Sequence, residues 1–460
     1  MATTEPPSTT TVQDILTTEP VGSQVILRGW IKSLRSQARV AFVHLHDGST
    51  PPGRFLQLVL LAKTHPSIKQ VLTDGRLDVG LEVVGEVVPS KGAGQAVEVF
   101  VKEVTHFGPR SEEPYKERVY PTAVSSVGAT TLRRWPHMRP RTDGQQLAAT
   151  VRHKCMMETH RFFDDRGFRW IATPVITGSD CEGAGEQFAI RDDPAKPFFK
   201  GCAPFLTVSG QVDLEPFYVL GKVYTFGPTF RAEHSDTSRH LAEFWMVEPE
   251  ILGSLEEVMD LAEAYVKTLL AIPAKWSDQG IPPCPIDLAK PFVRITYTEA
   301  VFLLIAAEWE VAWGDDLGSK MEMWLTEHLG GPVFVTHYPA DLKAFYMRQT
   351  RRHKGVTEGT DEGTCEGTPK TVEAFDLLLP GIGEVIGGSA REEDEERLMA
   401  AMTAKGMDTE PYQAYLDLRH WGSLPHGGFG LGFERMVCYV GGFPHIREVV
   451  PYIRAYDTPI

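Results

Sequence analysis

Arg231 and Glu233 stand two apart at the end of an aromatic, β-favouring run that holds Tyr224, Phe226 and Phe230. Glu243 and Glu248 sit in or beside the apolar run that follows. Strand side chains alternate between faces, so Arg231 and Glu233 share one face. Phe244, Met246 and Glu248 share another, opposite Trp245 and Val247. Two such runs joined by a polar loop predict an antiparallel pair. Acids and an arginine gathered on one hairpin fit a core only if each is paired. A binding or catalytic site is the sharper reading, and a simple Arg231–Glu233 salt bridge is the plainer one.

Two further stretches pose the same question. Asp376 and Glu384 lie in the largely apolar TVEAFDLLLPGIGEVIGG. Carboxylates there need a cation or a donor, and Mg²⁺ bound to a triphosphate would satisfy both, since it takes protein carboxylate together with phosphate oxygens. In LPHGGFGLGFERMVCYVGG a glycine-rich strand runs into a helix, where backbone could approach a flat ligand and Arg435 would add to the helix-terminal dipole. No G-K-[ST] follows and the dinucleotide spacing is missing, so any nucleotide fold is of another kind.

Weaker signals surround these. SDCEGAGEQF reads as a mobile loop whose Glu182 and Glu186 could meet a substrate amine. LTVSGQVDLEPFYV begins as a strand, with Ser209, Gln211, Asp213 and Glu215 alternating with Val212 and Leu214 to make one polar edge. His337, Lys343 and Arg348 follow GPVFVT, and a histidine alone says little. RRHKGVTEGTDEGTCEGTPK lacks periodicity and reads as a solvent loop without calcium-site spacing.

The elements that must hold these residues come in two groups. From Gln24 the runs QVILRGWIKSLR, VAFVHLHD, RFLQLVLL, LDVGLEVVGEVV and QAVEVFVKEVTHF predict five short strands, with a helix over THPSIKQVLTD. That count suits a small closed barrel of OB type best, although an unrelated small β-domain has the same outline; OB barrels often bind single-stranded nucleic acid on one face through stacking aromatics and cations. Arg28, Lys32, Arg35, Arg39 and Phe42 are the candidates, with Gln57 to read a base edge; Phe42 as core and solvated cations are the alternative. Residues 1–16 read as a loose tail, 17–108 as the barrel, 109–135 as a Pro-rich, charged linker and 136–460 as a large domain. There, Asp143 with Gln146 predicts a capped helix that ends at Gly167, feeding a strand where Pro174 marks a bulge, a strand boundary or an edge; a helix feeding an edge strand is a place to look for a dimer. Ser254 with Glu257 and Thr296 with Glu299 predict two more capped helices.

The chain has 460 residues, 42% of them hydrophobic and 23% charged, with a net charge of −15. That acidity argues against broad non-specific nucleic-acid binding but allows a local basic patch. Six scattered cysteines without a C-x-x-C pair read as reduced thiols and make a cysteine zinc site a poor fit. The polar, acidic start is unlike a signal peptide, and a cytoplasmic protein is expected.

Taken together these residues resemble the class II aminoacyl-tRNA synthetases, and within them the asparaginyl branch, over nearly the whole chain. The unit ending at Pro174 resembles the first class motif, a dimer element. FRAE at Phe230–Glu233, with RH and EF through Phe244, resembles the second, and GFGLGFER at Gly428–Arg435 the third. SDCEGAGEQF, LTVSGQ, EFWMVEPE and LLPGIGEVIGGSAREE are similar to the asparaginyl branch in particular. The 355–369 loop is longer than that pattern, and the closing VVPYIRAYDTPI departs from its R-T-P ending, which leaves Arg454 without a carried-over role.

The resemblance implies an α+β protein: an N-terminal OB-fold anticodon-binding barrel, then a six-stranded antiparallel sheet flanked by helices. It implies ATP, Mg²⁺, L-asparagine and tRNA(Asn) as ligands, and a homodimer. By that resemblance Arg231 grips the α-phosphate and the substrate carboxylate, Glu233 and Phe244 meet adenine, and Arg435 stacks on it while clamping the far phosphate. Arg239 and His240 reach the pyrophosphate or the tRNA end. Glu384, with Asp376 as weaker partner, holds Mg²⁺, and His337 need not be a base. Glu182 and Gln211 meet the α-ammonium, Glu248 the side-chain NH₂ and Arg391 its carbonyl. Aspartyl relatives carry a lysine where Leu214 stands. Arg35, Phe42 and Gln57 contact the anticodon. A non-catalytic RNA-binding relative and a tRNA-independent asparagine-forming ligase are the rival classes.

Overall fold

The computed structural model describes residues 8–18, 20–92, 94–108, 128–133, 135–181, 186–193, 195–200, 203–235, 237–350 and 370–458. Glu182, most of the expected linker and the 355–369 loop therefore lie outside the described residues. The chain divides into one unit of Met1–Thr150 with Trp276–Ile281, and a second of Val151–Lys275 with Pro282–Ile460. Within the first unit, Lys32 Nζ donates to the Arg141 carbonyl at 2.6 Å, and Arg141 donates to the Asp78 carbonyl.

In the first unit, β1 (Gln24–Gln37), β2 (Val40–His46), β3 (Leu56–Leu61), β4 (Gly80–Pro89) and β5 (Val97–Phe107) form the expected barrel. β1 pairs with both β2 and β4, β3 pairs with β2 and, in parallel, with β5, and β4–β5 closes the ring. Period-two alternation sends Leu27, Val43, Leu45, Leu58, Val83 and Val99 inward, all fully buried. The segment expected to be a loose tail is ordered from Ser8. Ser8–Thr9 pairs with β1, and α1 (Val12–Thr18) buries Val12 and Ile15 fully against the barrel core. Seven residues are too few to display a helical period, so this helix left no sequence signal.

The second unit is built on an eight-stranded sheet. In chain order its strands are β6 (Arg169–Trp170), β7 (Val223–Phe230), β8 (Glu243–Leu252), β9 (Val293–Thr296), β10 (Val333–Thr336), β11 (Ala374–Leu379), β12 (Gly383–Ala390) and β13 (His426–Gly432). Across the sheet they run β9-β10-β11-β12-β13-β8-β7-β6. The six strands from β10 to β7 are antiparallel, as expected, but β9 and β6 add a parallel strand at each edge. Helix α3 (Asp143–Asp164) precedes β6. Its cap is Thr142 rather than Asp143, since Thr142 Oγ1 accepts the Gln145 N–H at 3.3 Å. Both other capping boxes form, opening the helices Leu255–Leu270 and Tyr297–Ala306. The polar edge expected at Ser209–Glu215 is not a strand. After Phe205–Leu206 the chain turns into the short helix α4 (Gln211–Leu214). Among the described residues no helix is long and apolar enough to cross a membrane.

Candidate active site

Neighbouring strands β7, β8, β13 and β12 bring the singled-out charges together. Phe226 pairs with Val247 and Thr225 with Glu248, and β13 then pairs with β8 and β12 on its two sides. Period-two alternation along β8 puts Phe244, Met246 and Glu248 on one face, and all three line cavities there. A pocket of about 100 Å³ is lined by Arg231, Glu233, Arg239, His240, Phe244, Glu384 and Arg435, the whole set expected at a nucleotide. Beside it a cavity of about 580 Å³ is lined by Gln211, Glu248, Asp376 and Arg391. Arg231 and Glu384 line both.

In the smaller pocket the Arg231 guanidinium lies 5.3 Å from the Phe244 ring centre. Its contact with Glu233 is loose, 3.9 Å, and Glu233 also faces His240 at 3.7 Å. Burial lowers the His240 pKa, the Arg435, Arg239 and Arg231 cations lower it further, and Glu233 works against them. Arg435 leads the helix α10 (Phe433–Gly441) and donates to the Glu384 carbonyl at 2.8 Å and its carboxylate at 3.3 Å. Burial would raise the Glu384 pKa, but Arg435, Lys343, Arg231 and Arg239 hold it below the ordinary range.

A residue the sequence did not single out completes this corner. Glu322, on the helix α7 (Ser319–His328), accepts from Arg239 and from the Glu384 N–H, both at 3.2 Å. Burial, then the Glu384 charge, pushes its pKa up. Its only sequence signal is an acid among apolar residues on a helix.

Asp376 and Glu384 reach one face through a bulge. Leu377 pairs with Ile386 but Leu378 pairs with Glu384, so Val385 is the extra residue. Without it Glu384 would point away from Gly387, the partner of Asp376; a bulge re-aims the side chain. A Cβ on Gly387 would lie 3.4 Å from Glu384 Oε1 and 3.6 Å from Asp376 Oδ1, so the two carboxylates converge there. Asp376 is also gripped by Lys343 Nζ, 2.7 Å from each oxygen. Burial still raises its pKa, and Glu384 adds to the rise. Among the described residues no three His, Cys, Asp or Glu side chains converge as a metal cage, so an ion here would rely on two acids and ligand oxygens.

In the larger cavity Glu248 is held by the Ser209 hydroxyl and, at 2.9 Å, by the Gly210 N–H. Gln211 opens α4 toward the same space, whereas Leu214, one turn on, is fully buried and does not line it. Arg391 comes from just beyond β12 and is itself buried, its guanidinium against Glu250 and, at 2.7 Å, Ser389. His337 makes a local contact with Thr336, Arg348 pairs with Glu373, and Arg454 offers its carbonyl to the Ala242 N–H.

On the barrel, Arg35 pairs with Phe42 and His44 with Gln57, so Arg35, Phe42 and Gln57 share the outer face. Gln57 already donates to Glu98 at 2.7 Å, and His44 stacks on Phe55, an aromatic pair the sequence reading passed over. Arg28 pairs with Glu82, and Lys32 holds the Arg141 carbonyl at 2.6 Å.

Three comparisons bear on what this arrangement is. The family described as tRNA synthetases class II (D, K and N) matches residues 129–455. The asparagine–tRNA ligase of Xanthomonas euvesicatoria pv. vesicatoria is 42% identical over 472 residues, spanning 95% of this chain and 96% of that protein. That of Idiomarina loihiensis is 40% identical over 481 residues, spanning 96% and 98%. The crystal structure of asparaginyl-tRNA synthetase from Pyrococcus horikoshii complexed with asparaginyl-adenylate aligns with a TM-score of 0.83 at 29% identity, covering 96% of this chain and 97% of that one.

Gly428 gives a direct test of how the strands hold the site. A Cβ there would overlap the Pro249 carbonyl oxygen and the Glu250 carboxylate, so this glycine serves strand packing rather than ligand approach. Gly428→Ala should therefore destabilise the protein by about 1–3 kcal/mol. An unchanged denaturation midpoint would show that the strands can separate freely here.

Proposed function

The chain belongs to the class II tRNA synthetases of the aspartyl, lysyl and asparaginyl group, and on that premise we propose that it charges tRNA with asparagine. It activates L-asparagine with ATP to asparaginyl-adenylate and pyrophosphate, then passes the asparaginyl group to the terminal ribose of tRNA(Asn). One observation carries the site assignment: a pocket lined by the nucleotide candidates shares Arg231 and Glu384 with a cavity lined by the amino-acid candidates.

In the first step a carboxylate oxygen of asparagine bonds to the α-phosphorus while the bond to the β-phosphate oxygen breaks. Both reactants are anions, so positioning and positive charge supply most of the catalysis, and no protein nucleophile is needed. Arg231, common to both spaces, is the bidentate clamp on the α-phosphate and the substrate carboxylate. Phe244 and Arg435 flank adenine and Glu233 meets its amino group, while Arg239 and His240 serve the pyrophosphate end or the tRNA terminus. Glu384, with Asp376 as the weaker partner because Lys343 occupies it, is the protein's share of a Mg²⁺ site. Mg²⁺ bound there would offset the charge of the phosphates. Gln211, with Glu182, orients the α-ammonium.

Selection of the side chain follows from what an amide offers, two N–H donors and one acceptor, against acceptors only for aspartate. Glu248 takes the NH₂ and Arg391 the carbonyl. The test is ATP–pyrophosphate exchange with asparagine, aspartate and lysine. Glu248→Gln should cut asparagine activation by orders of magnitude and reduce the preference over aspartate. An unchanged asparagine-to-aspartate ratio would make Glu248 structural. Exchange that needs asparagine separates an enzyme from a non-catalytic relative. Asparagine made from aspartate, ATP and ammonia without tRNA would point to the metabolic ligase instead.

The barrel's outer face, with Arg35, Phe42 and Gln57, is the anticodon surface. Phe42→Ala should raise the KM for tRNA, since a stacked base is worth about 1–3 kcal/mol, and should leave exchange nearly unchanged. Equal loss in both assays would mark Phe42 as core.

A homodimer in the cytoplasm completes the reading. β6 is the last strand of its sheet, and Met157, Trp170 and Ile176 around it are exposed. Exposed apolar side chains gathered at an open strand edge favour burial against a second copy. Sedimentation should give a dimer at low micromolar concentration, and a stable, active monomer would exclude it.

A further inference from the structure

A turn rooted beside the active site carries aromatic and cationic side chains with no part in the activation of asparagine. Residues 188–190 run antiparallel to 204–206. The Leu206 N–H donates to the Phe188 carbonyl and the Ile190 N–H to the Pro204 carbonyl, both at 2.9 Å, and Ala189 bridges Phe205. The root of this hairpin is fastened on either side of Arg231: the Phe230 N–H donates to the Thr207 carbonyl and the Ala232 N–H to the Glu186 carbonyl, both at 2.8 Å. At the far end two aspartates shape the turn. Asp192 accepts the Phe198 N–H at 3.0 Å and the Phe199 N–H at 3.4 Å, and Asp193 accepts the Ala195 N–H at 3.0 Å. Phe198 is thereby held out in solvent, 84% exposed, with its ring edge-on to Phe199 at 5.0 Å. Arg191, Lys196 and Lys200 flank it in the chain, are exposed, and form no ion pair among the described residues. Against Asp192 and Asp193 they leave the turn one charge positive, in a chain whose net charge is −15.

We propose that this turn receives the single-stranded 3′ end of tRNA, with Phe198 stacking on an unpaired base and Lys196 and Lys200 meeting its phosphates. The proposal rests on the tRNA-charging reading above. Unpaired bases offer flat faces that stack on aromatic side chains, and cations beside such a platform follow the backbone. The acyl acceptor is the terminal ribose, which has to come to Arg231, so the nucleotides before it run over elements rooted at that residue. An anionic chain repels RNA at long range, and contact then depends on local positive features of this kind. A second copy of the chain is the other occupant for exposed phenylalanines. Interface cores are depleted of charge, however, and three cations without acidic partners favour a polyanion. The contact acts on the transfer step alone, since activation needs no tRNA.

The experiment compares full-length wild type, Phe198→Ala, Phe198→Trp and the double variant Lys196→Gln with Lys200→Gln in pyrophosphate exchange and in charging of tRNA(Asn). Asparagine-dependent exchange and charging by the wild type check the underlying reading first, and their absence would overturn that reading whatever the variants do. Phe198→Ala should raise the KM for tRNA about fivefold or more with exchange unchanged, and Phe198→Trp should restore it. Removing the lysines should flatten the dependence of log KM on log salt by about 0.7 for each lysine lost, and an unchanged slope would overturn the phosphate contacts. tRNA(Asn) stripped of its unpaired 3′ nucleotides is the control. It should bind wild type and Phe198→Ala alike, while intact tRNA binds the wild type more tightly. An equal loss of affinity for the stripped tRNA would move the contact elsewhere and overturn the proposal. So would a tRNA KM that Phe198→Ala leaves unchanged, or exchange and charging that fall together. A Phe198→Ala protein that sediments as a monomer where the wild type is a dimer would assign the ring to a subunit contact instead.

Discussion

A carboxylate can be taken out of water only if a cation or several donors go with it, and that constraint organises the large unit. Glu215, Glu250, Glu248 and Glu434 are all nearly or fully buried. Arg419 and His426 hold the first, Arg391 the second, Ser209 and Gly210 the third, and Arg152 with the Trp245 N–H the fourth. Each partner comes from a distant part of the chain, so every ionised pair ties together strands and helices that the sequence separates. Cutting one partner from such a pair strands the other, which is why the network is more than a sum of contacts.

The same pairs set the electrostatic state of the site. Arg435 rests on Glu384 and Arg239 on Glu322. These contacts fix Arg435 and Arg239 in place, and the surrounding cations hold the Glu384 carboxyl below its ordinary range, whereas burial raises Asp376 and Glu322. Arg231 borders both spaces.

The bulge at Val385 shows how far position along a strand can mislead. Asp376 and Glu384 were singled out because acids are rare in apolar strands, but counting residues along the hairpin could not say whether they face each other. One unpaired residue decided it. Likewise the alternation at Ser209–Glu215 resembled a strand edge, and the chain instead turns into a four-residue helix that aims Gln211 at the cavity and buries Leu214 in the core. Both outcomes depend on pairing and packing with elements that local pattern does not contain.

By itself the sequence determined the barrel and the hairpin of β7 and β8, and it marked Arg231, Glu248, Asp376 and Glu384 as charges in need of partners, because alternation of two and charges stranded among apolar neighbours are local signals. The order of strands, the parallel edges and the ordered N-terminal helix were decided by packing alone. So were the partners of the buried charges. Glu322 lies 83 residues from Arg239, and Glu250 lies 141 from Arg391. A salt bridge leaves no periodicity in the chain, and its two ends meet only after the sheet has closed between them.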